Sequence, residues 1–372
     1  MKKSLLVILD FYPSVGGVAN YWENLLAQMP PESVVVIAPT LPRGTPELKC
    51  RYPIYRRALL RWWLVPAWLP LFWHIFAIAK KERVEQIIVG NILPIGTVVM
   101  SIARLLKIPY ILSTHAMDVT LPLRWKRKER LCRQIIAGAK KIITVSSYTK
   151  NKLIELGATA EKITLVQPSP TIHDIKPVAP RDEEILTRIE GKRIILTVGR
   201  LTGRKGHADV IRALKNVIHD HQDVVYAIVG TGGERTELEN LARQFHLSEH
   251  VIFVGSQTRT EIAWWYDRCT FFIMTPFDDN GDVEGFGIIY LEAGEHGKAV
   301  IATRSGGVPD AVSDGKTGIL IEPRDIAGIA DAMNMLLDNP TKAKRMGEQG
   351  RTRAQEEFSI QKQAQNLKDA LS

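Results

Sequence analysis

The sequence predicts an α/β protein made of two doubly wound, parallel-sheet domains that face each other across a cleft. Short apolar runs of strand length alternate with helical segments along most of its 372 residues. A segment with four prolines in fourteen residues, 167–180, interrupts this alternation near the middle and has no strand or helix period. The chain is also too long for one hydrophobic core of ordinary size.

The first domain is predicted to cover residues 1–175. Its apolar runs are typical of strands that are buried on both faces. They are LLVIL (5–9), VVVIA (34–38), QIIVG (86–90), YILST (110–114), KIITV (141–145) and KITLV (162–166). Helical segments are predicted at about 18–28, 94–106, 124–138 and 147–156. The first apolar run is too short for a secretory signal peptide, and we interpret it as the first strand.

The second domain is predicted to cover residues 176–356. Its strand-like runs are RIILTVG (193–199), VVYAIVG (224–230), VIFVG (251–255), TFFIM (270–274), KAVIA (298–302) and TGILI (317–321). The last segment, about 357–372, is helical with no strand left to cover, and is predicted to cross back to the first domain. Because this fold class binds ligands at the carboxyl ends of its strands, we expect the site in the cleft between the domains.

The charge of the chain points to a polyanionic partner. The net charge is +9 and the pI is about 9.4, which suits a membrane, a phosphate-bearing substrate or nucleic acid. Basic residues concentrate in 43–83 and 123–133, interleaved with tryptophans that could stack on bases. No recognised nucleic-acid-binding module is present, and both clusters adjoin apolar runs that suit a membrane. We therefore expect no nucleic-acid partner.

The stretch 56–79 allows two interpretations. Residues 62–79 contain no Lys, Arg, Asp or Glu and are rich in Trp, Leu and Phe, but Pro66 and Pro70 argue against a membrane-spanning helix. Arg56, Arg57 and Arg61 beside leucines and tryptophans are typical of a segment that lies on an anionic membrane surface. The alternative is a buried helix pair of the first domain.

Neither the cysteines nor the acidic residues predict a metal site. The cysteines lie far apart without C-x-x-C spacing, which disfavours zinc and disulfides and fits a reducing compartment; they are Cys50, Cys132 and Cys269. Asp278, Asp279 and Asp282 form an acidic loop, but it lacks the spacing and the closing bidentate glutamate of a calcium loop. We expect no metal and no cofactor.

Two loops that follow strands could bind phosphates. Gly16 and Gly17 permit a tight turn whose N–H groups face an anion at a helix N-terminus, although a simple tight turn explains them equally well. Arg200 and Lys205, in GRLTGRKG (199–206), follow a strand and precede a helix, where two cations suit a diphosphate. The alternative for this second loop is a solvated basic surface; its strand-end position favours function.

A third glycine-rich loop raises the alternative of a nicotinamide-dependent oxidoreductase. Gly230, Gly232 and Gly233 lie between a strand and a helix. The spacing is G-x-G-G, not G-x-G-x-x-G, and the next strand ends in VIFVGS without an acidic residue for a ribose. The motif therefore argues weakly for a dinucleotide.

The stretch EGFGIIYLE, 284–292, carries two carboxylates around a predicted helix start near Gly287. Glu284 lies in the loop ahead of the helix and Glu292 lies inside it. Carboxylates accept hydrogen bonds from hydroxyl groups, so one suits a sugar and the other a ribose, while the N–H groups of the helix start suit an anion. A solvent-facing and a capping glutamate are the alternative. His115 follows a strand of the first domain, where a structural and a functional role are equally open.

These motifs resemble one known family. The residues GG (16–17), GRLTGRKG (199–206), DVEGFGIIYLEA (282–293) and SGGVPDAV (305–312) are similar to the retaining glycosyltransferases of family 4. The resemblance runs along essentially the whole chain and is densest in the second half. It implies the GT-B fold, with two Rossmann-like domains: an N-terminal acceptor domain and a C-terminal nucleotide-sugar donor domain.

The resemblance also implies roles for the charged residues. Arg200 and Lys205 would neutralise the departing nucleotide diphosphate, in place of a divalent metal. Glu284 would hold the hydroxyls of the sugar, and Glu292 those of the ribose. His115 matches the histidine of the family that lies near the transferred sugar, although its motif reads HAMD, with alanine where glycine is common.

The remaining implied contacts come mainly from the main chain. Gly16 and Gly17 would contact the diphosphate, and Gly230 and Gly232 would line the donor pocket. Phe286, Gly287 and Ile288 would offer backbone contacts to sugar or phosphate.

The implied activity is retaining, metal-independent hexosyl transfer from a nucleotide sugar to a lipid-linked or glycan acceptor. Proteins with a pattern similar to DVEGFGI-YLEA include mannosyltransferases that use GDP-mannose on lipid acceptors, so mannose is favoured, with UDP-glucose or UDP-N-acetylglucosamine as alternative donors. Front-face attack, as the resemblance implies, is favoured over double displacement, because the first domain has no evident carboxylate nucleophile near His115 apart from Asp118. We expect a cytoplasmic protein, peripheral on the cytoplasmic membrane face.

Overall fold

The fold contains two parallel sheets, and helices connect most of the successive strands of each sheet. The computed structural model describes residues 1–13, 16–41, 45, 50–60, 68–172 and 175–372. The chain divides into two compact units, Met1–Ser169 with Ile360–Ser372, and Pro170–Ser359.

The first unit is built on a seven-stranded sheet. Its strands are β1 (Ser4–Val7), β2 (Val34–Pro39), β3 (Ile54–Arg57), β4 (Gln86–Val89), β5 (Tyr110–Thr114), β6 (Lys141–Thr144) and β7 (Ile163–Leu165). Their order is β3-β2-β1-β4-β5-β6-β7, and every neighbouring pair is parallel. The helices of this unit are α1 (Gly17–Ala27), α2 (Leu69–Lys81), α3 (Thr97–Leu106), α4 (Met117–Thr120), α5 (Lys126–Gly138), α6 (Ser147–Glu155) and the last helix of the chain (Ile360–Leu371).

The second unit is built on a six-stranded parallel sheet. Its strands are β8 (Arg193–Val198), β9 (Val224–Val229), β10 (Val251–Gly255), β11 (Phe271–Met274), β12 (Val300–Thr303) and β13 (Gly318–Ile321). Their order is β10-β9-β8-β11-β12-β13. Its helices are α7 (Glu183–Ile189), α8 (His207–Val217), α9 (Arg235–Gln244), α10 (Arg259–Arg268), α11 (Ile288–Glu295), α12 (Val308–Ala311), α13 (Ile326–Asp338) and α14 (Pro340–Glu357). The last helix of the chain, Ile360–Leu371, is α15.

The apolar runs form buried strands because both faces of each sheet are covered. Strands β1, β4 and β11, for example, are buried along their whole length. Each of the twelve apolar runs singled out above overlaps an observed strand. The prediction of two doubly wound, parallel-sheet domains is confirmed.

Two arginines of the predicted membrane-surface segment lie in strand β3. Arg56 and Arg57 lie in this edge strand, and the Arg56 Nη2 donates to the carbonyl oxygen of Tyr12 at 2.6 Å. Arg61 and its apolar neighbours in 61–67 lie outside the described residues. Arg56 is therefore tied to its own unit and is not part of a basic surface helix.

Helix α2 follows and buries Leu71, Ile75 and Ile78 against the sheet while Trp73 stays 63% exposed. Among the helices described, none is long and apolar enough to cross a membrane.

Candidate functional site

The predicted site residues of the second unit gather where its strand order reverses. The chain proceeds from β8 to β9 and β10 on one side, and β11 to β13 lie on the other side of β8. The carboxyl ends of β8 and β11 therefore border a topological switch point, the usual ligand position in an open α/β sheet. The loops after these two strands carry Arg200, Lys205 and Glu284.

A tight turn after β8 sets the direction of two basic side chains. Residues Gly203–Lys205 form one 3-10 turn that ends at Gly206, whose φ is 77°. A Cβ on Gly206 would lie 2.0 Å from the carbonyl oxygen of Thr275, so only glycine fits this contact. Thr275 donates its hydroxyl to the carbonyl oxygen of Gly206 at 3.1 Å. The turn is thereby fixed against the loop after β11.

Two cations of this turn meet the first predicted glutamate. Lys205 Nζ and Arg204 Nη1 both contact Oε2 of Glu284, the second at 3.0 Å, and Arg204 Nε pairs with Oδ1 of Asp282 at 2.7 Å. The side chains of Arg204, Lys205 and Glu284 are only 8%, 11% and 13% exposed. We call these four residues the Glu284 cluster.

Burial and charge act against each other in the Glu284 cluster. Burial opposes a charge on Glu284, but attraction to Lys205 and Arg204 outweighs it and holds the pKa of the carboxyl below its usual range. Burial lowers the pKa of Lys205, and Glu284 counteracts this effect. The carboxylate is thus held charged by two neighbouring cations.

A second loop fixes the main chain of Glu284. The N–H of Gly307 donates to the Glu284 carbonyl oxygen at 2.8 Å. Gly306 has a φ of 55°, and a Cβ there would lie 2.3 Å from the same oxygen. Gly306 of SGGVP therefore has a packing role beside Glu284, which gives a physical reason for this glycine of the motif.

Arg200 is placed differently from Lys205. Its side chain is exposed, and its carbonyl oxygen lies 3.1 Å from Nε2 of the buried His207. This contact requires the proton on Nε2, and burial lowers the pKa of His207 to about 4. The side chain of Arg200 is thus exposed while its main chain is bonded to His207, whereas the side chain of Lys205 contacts Glu284.

The second predicted glutamate is buried inside α11. Glu292 is 5% exposed; Thr171 donates its hydroxyl to Oε1, and Tyr266 Oη lies 3.3 Å from Oε2. Burial raises the pKa of Glu292, and these hydrogen bonds partly offset the rise. Tyr266 in turn stacks on His296, with ring centroids 5.4 Å apart. Both carboxylate oxygens therefore already face protein donors.

The conformation of the backbone at the start of α11 is set by Gly287 and by the packing of Phe286. The helix begins at Ile288, next to the predicted start, and Gly287 precedes it with a φ of 87°. The side chain of Phe286 is buried and packs against Phe358, with ring centroids 5.5 Å apart. A contact between Phe286 and a ligand would therefore use its main chain, and the backbone role that the resemblance implies for Phe286 stays a prediction.

The glycines after β9 are explained by close backbone packing. A Cβ on Gly230 would lie 2.0 Å from the Gly199 carbonyl oxygen, and one on Gly232 would lie 2.2 Å from that of Leu201. These two positions hold the loops after β8 and β9 together. Their predicted role in lining a donor pocket stays a prediction.

The first unit holds the remaining predicted residues. Gly16 precedes α1 and Gly17 begins it, and a Cβ on either would meet no atom of the described residues within 4 Å. His115 follows β5, and its Nε2 lies 3.4 Å from the Ser113 hydroxyl. Its ring meets that of Tyr21 edge-on at 5.1 Å, and burial lowers its pKa to about 4. His115 is therefore mostly neutral near pH 7.

Two neighbours of His115 are unusual. Asp118 accepts the backbone N–H of His115 at 2.8 Å, and burial raises its pKa to about 7. Ala116 has a φ of 77°, in the region that favours glycine, and such a backbone costs on the order of 1–3 kcal/mol for other residues. This position is where the sequence has alanine in place of the family's more common glycine.

The acidic loop ahead of α11 is used internally. Asp282 pairs with Arg204, and Asp278 accepts the N–H of Gly281 at 2.5 Å. Within the described ranges, no group of three or more His, Cys, Asp or Glu side chains is arranged to hold a metal ion.

Sequence reasoning missed Arg204, Thr171 and His207. Arg204 had a signal, because it adjoins Lys205 in GRKG at a strand end. Thr171 and His207 had no such signal. Thr171 contacts Glu292, which is far away in sequence, and His207 contacts a backbone oxygen, that of Arg200.

Two family profiles match the chain. The profile "Glycosyltransferase Family 4" matches residues 15–169, and the profile "Glycosyl transferases group 1" matches residues 179–353. The chain belongs to the glycosyltransferases that these two profiles describe. Its predicted enzyme class, a hexosyltransferase, is confirmed, and the nicotinamide-dependent alternative falls away.

Enzymes named for GDP-mannose are among the proteins that are similar to this glycosyltransferase along nearly its whole length. The chain is 27% identical to the "GDP-mannose-dependent monoacylated alpha-(1-6)-phosphatidylinositol monomannoside mannosyltransferase" of Corynebacterium glutamicum, covering 100% of this chain and 98% of the relative. It is also 27% identical to the "GDP-mannose-dependent alpha-(1-6)-phosphatidylinositol monomannoside mannosyltransferase" of Mycolicibacterium smegmatis, over 99% and 98%.

Solved structures of glycosyltransferases share the fold. HepE of Anabaena in complex with UDP aligns with a TM-score of 0.80 at 18% identity, over 99% of each chain. Sucrose-phosphate synthase from Thermosynechococcus elongatus aligns with a TM-score of 0.83 at 21% identity, over 100% of this chain and 98% of the other. The glycosyltransferase therefore has the GT-B fold that the sequence predicted.

Proposed function

We propose that this glycosyltransferase moves a hexose, with mannose favoured, from a nucleotide diphosphate sugar to a lipid-linked or glycan acceptor. The observation that carries the proposal is the Glu284 cluster at the switch point of the second sheet. It places an ionised carboxylate beside a lysine that can turn to an anion, which is what sugar binding and diphosphate departure require.

Each charged residue has a role in this proposal. Arg200 and Lys205 stabilise the negative charge that builds on the diphosphate as its bond to the sugar breaks. Glu284 accepts hydrogen bonds from the hydroxyls of the sugar, and Glu292 from those of the ribose. Because Arg200 and Lys205 supply this stabilisation, the proposed reaction needs no divalent metal.

Retention of the anomeric configuration by front-face attack fits the first unit. Asp118 is the carboxylate closest in sequence to His115, and it accepts the backbone N–H of His115. Burial raises its pKa to about 7, so a large fraction is protonated near neutral pH and is a poor nucleophile. A double displacement through Asp118 is therefore disfavoured.

GDP-mannose is the favoured donor because two relatives that match along nearly the whole chain are named for it. The acceptors in those names are phosphatidylinositol mannosides, which motivates a lipid-linked acceptor here. UDP-glucose is the alternative, since HepE of Anabaena has the same fold and a structure of it contains UDP-glucose.

We further propose that the first unit works at an anionic membrane surface on the cytoplasmic side. Trp73 of α2 is 63% exposed, and Leu105 of α3 is 61% exposed. Trp125, directly before α5, is 50% exposed, and Lys128 Nζ lies 3.8 Å from its ring centroid. Helix α5 begins KRKER. Exposed aromatic rings beside basic side chains suit the headgroup layer, where each basic residue contributes about 1 kcal/mol.

A screen of donors tests the proposed activity. Purified protein is mixed with GDP-mannose, UDP-glucose, UDP-N-acetylglucosamine or NAD, and its melting temperature and the release of nucleoside diphosphate are measured. We expect one nucleotide sugar to raise the melting temperature and to be hydrolysed slowly, and NAD to do neither. Lys205→Ala is the matched control, in which release should fall. Stabilisation by NAD alone, or by no nucleotide sugar, would contradict the proposal.

A further inference from the structure

In the Glu284 cluster, two cations contact Glu284, although one would be enough to neutralise its charge. Arg204 and Lys205 share the same oxygen, Oε2, of Glu284. The family resemblance assigned a role to Lys205 and none to Arg204. The two cations differ in how firmly they are held.

Arg204 is held at several points. Its side chain pairs with two carboxylates, Asp282 at 2.7 Å and Glu284 at 3.0 Å, and is 8% exposed. Its carbonyl oxygen accepts the N–H of Phe277 at 3.0 Å. The guanidinium is a planar group with five fixed donors, so it can bind both carboxylates at once.

Lys205 is held less firmly. Among the described residues, Glu284 is the one carboxylate that Lys205 contacts. A lysine carries its charge on a flexible four-carbon stem with freely turning donors. Lys205 can therefore change partner by rotation of its side chain, whereas Arg204 would have to break two ion pairs.

We propose that Arg204 is a positioning residue that serves as the permanent counter-ion of Glu284, with Asp282 holding it in place, so that Lys205 can move from Glu284 to the donor diphosphate. This inference rests on the proposed function. Its physical reason is that a buried carboxylate that loses its only cation is strongly destabilised. With Arg204 in place, the departure of Lys205 leaves Glu284 paired.

The charges of the cluster fit this division. Two cations and two carboxylates balance when no ligand is bound. When a diphosphate enters, Lys205 and the exposed Arg200 can face it, while Arg204 still neutralises Glu284. Without Arg204, Lys205 would have to stay with Glu284, and the diphosphate would lose one of its two cations.

The test is a double-mutant cycle on the binding of GDP, and in parallel UDP, measured by calorimetry. Arg204→Gln and Lys205→Ala are each expected to weaken binding by about tenfold or more, the scale of one charge-assisted hydrogen bond. The double variant should bind no more weakly than the weaker single variant, because both changes remove the same lysine–diphosphate contact. Arg204→Lys, which keeps the charge, should recover part of the binding.

Two further variants keep the test independent of folding. Asp282→Asn, at a side chain that is 36% exposed, should weaken binding in the same direction with an unchanged melting temperature. Arg212→Lys alters a comparable ion pair with Asp209, 3.0 Å long, on α8, and should bind as the wild type does.

A pH series adds a readout that a purely structural role would not move. The groups that face Glu284 are Lys205 and Arg204 from the turn after β8 and Tyr290 from α11. Removal of Arg204 takes away one of the two cations that lower the pKa of Glu284. Glu284 should therefore take up a proton at a higher pH in Arg204→Gln than in the wild type. Because a neutral Glu284 no longer holds Lys205, the loss of GDP binding in this variant should become smaller as the pH falls, and a loss that does not change with pH would contradict the inference.

The outcomes separate the two proposals. If the wild type binds neither GDP nor UDP, the proposed function fails and takes this inference with it. If the wild type binds but the two single losses multiply in the double variant, or Arg204→Gln binds normally, the inference alone is overturned.

Discussion

Replacing Thr171 with valine tests how Glu292 is held in place and how its pKa is set. The change removes one hydroxyl and keeps the shape of the side chain. That hydroxyl donates to Oε1 of Glu292, which is 5% exposed. The other side-chain donor, Tyr266, lies 3.3 Å away and faces the carbonyl oxygen of Ile289 at the same distance. Thr171 is therefore the stronger of the two side-chain partners.

The magnitude follows from the type of hydrogen bond. A hydrogen bond to a charged group contributes about 1.5–3 kcal/mol to the free energy of unfolding. The second unit, Pro170–Ser359, falls in the size class where 1 kcal/mol shifts the melting temperature by about 2–4 °C. Thr171→Val should thus lower the melting temperature of this unit by about 3–12 °C at a pH where Glu292 is ionised.

The effect should depend on pH in a stated direction. Burial raises the pKa of Glu292 above its unfolded value, so its contribution to stability is present below the unfolded pKa and is lost as pH rises through the folded one. The Thr171 hydrogen bond favours the charged form, and its removal raises this pKa further. The difference between wild type and variant should therefore be small near pH 4 and grow as the pH rises.

Melting curves by circular dichroism between pH 4 and 8 measure this difference. Thr187→Val is the matched control, because the Thr187 hydroxyl donates at 2.8 Å to a neutral carbonyl oxygen, that of Glu183, on an exposed part of α7. Its effect should be small and independent of pH. A Thr171→Val difference that stays constant with pH, or is no larger than the control, would refute the reasoning.

Four further predictions follow from the proposed function. Lys205→Ala and Arg200→Ala should each lower kcat by about 10²-fold, the scale for loss of an electrostatic stabiliser, and near-normal turnover in both would contradict their role. In calorimetry, Glu292→Ala should weaken binding of the free nucleoside diphosphate, whereas Glu284→Ala should weaken only the intact sugar donor; equal responses would mean that the roles are not divided in this way. EDTA should leave activity unchanged, and a loss that Mg²⁺ or Mn²⁺ restores would overturn the metal-independent proposal. The protein should co-sediment with anionic but not neutral vesicles, less so with added salt or after Trp73→Ser, and equal binding to both vesicle types would argue against the membrane proposal.

The apolar runs alone were sufficient to locate twelve of the thirteen strands. Central strands of a parallel sheet are buried on both faces, so their sequences are continuously apolar and easy to identify. The exception, β3, reads IYRR and lies at the sheet edge, where three of its residues are half-buried and the fourth is exposed. An edge strand lacks the continuous pattern, and only its pairing with β2 identifies it.

Helix α2 shows a second limit of the sequence. Its residues LPLFWHIFAIAKK are apolar around most of the helix, and the pattern could not tell a membrane-surface segment from a buried one. The structure has both: Leu71, Ile75 and Ile78 pack in the core, and Trp73 stays exposed. Which side is covered depends on the neighbouring helix and sheet, and no local pattern contains that information.

The site divides in the same way. The sequence alone determined the types of the acting residues and their positions at strand ends, because a strand–loop–helix repeat shows where each loop must open. Only the tertiary structure decided their partners: Arg204 lies 80 positions from Glu284, and Thr171 lies 121 positions from Glu292. Arg204 and Glu284 meet because β8 and β11 are neighbours in the sheet although two other strands separate them in the chain. Strand order depends on how the whole sheet packs, so the contacts that set the charge of both glutamates arise only when the fold is complete.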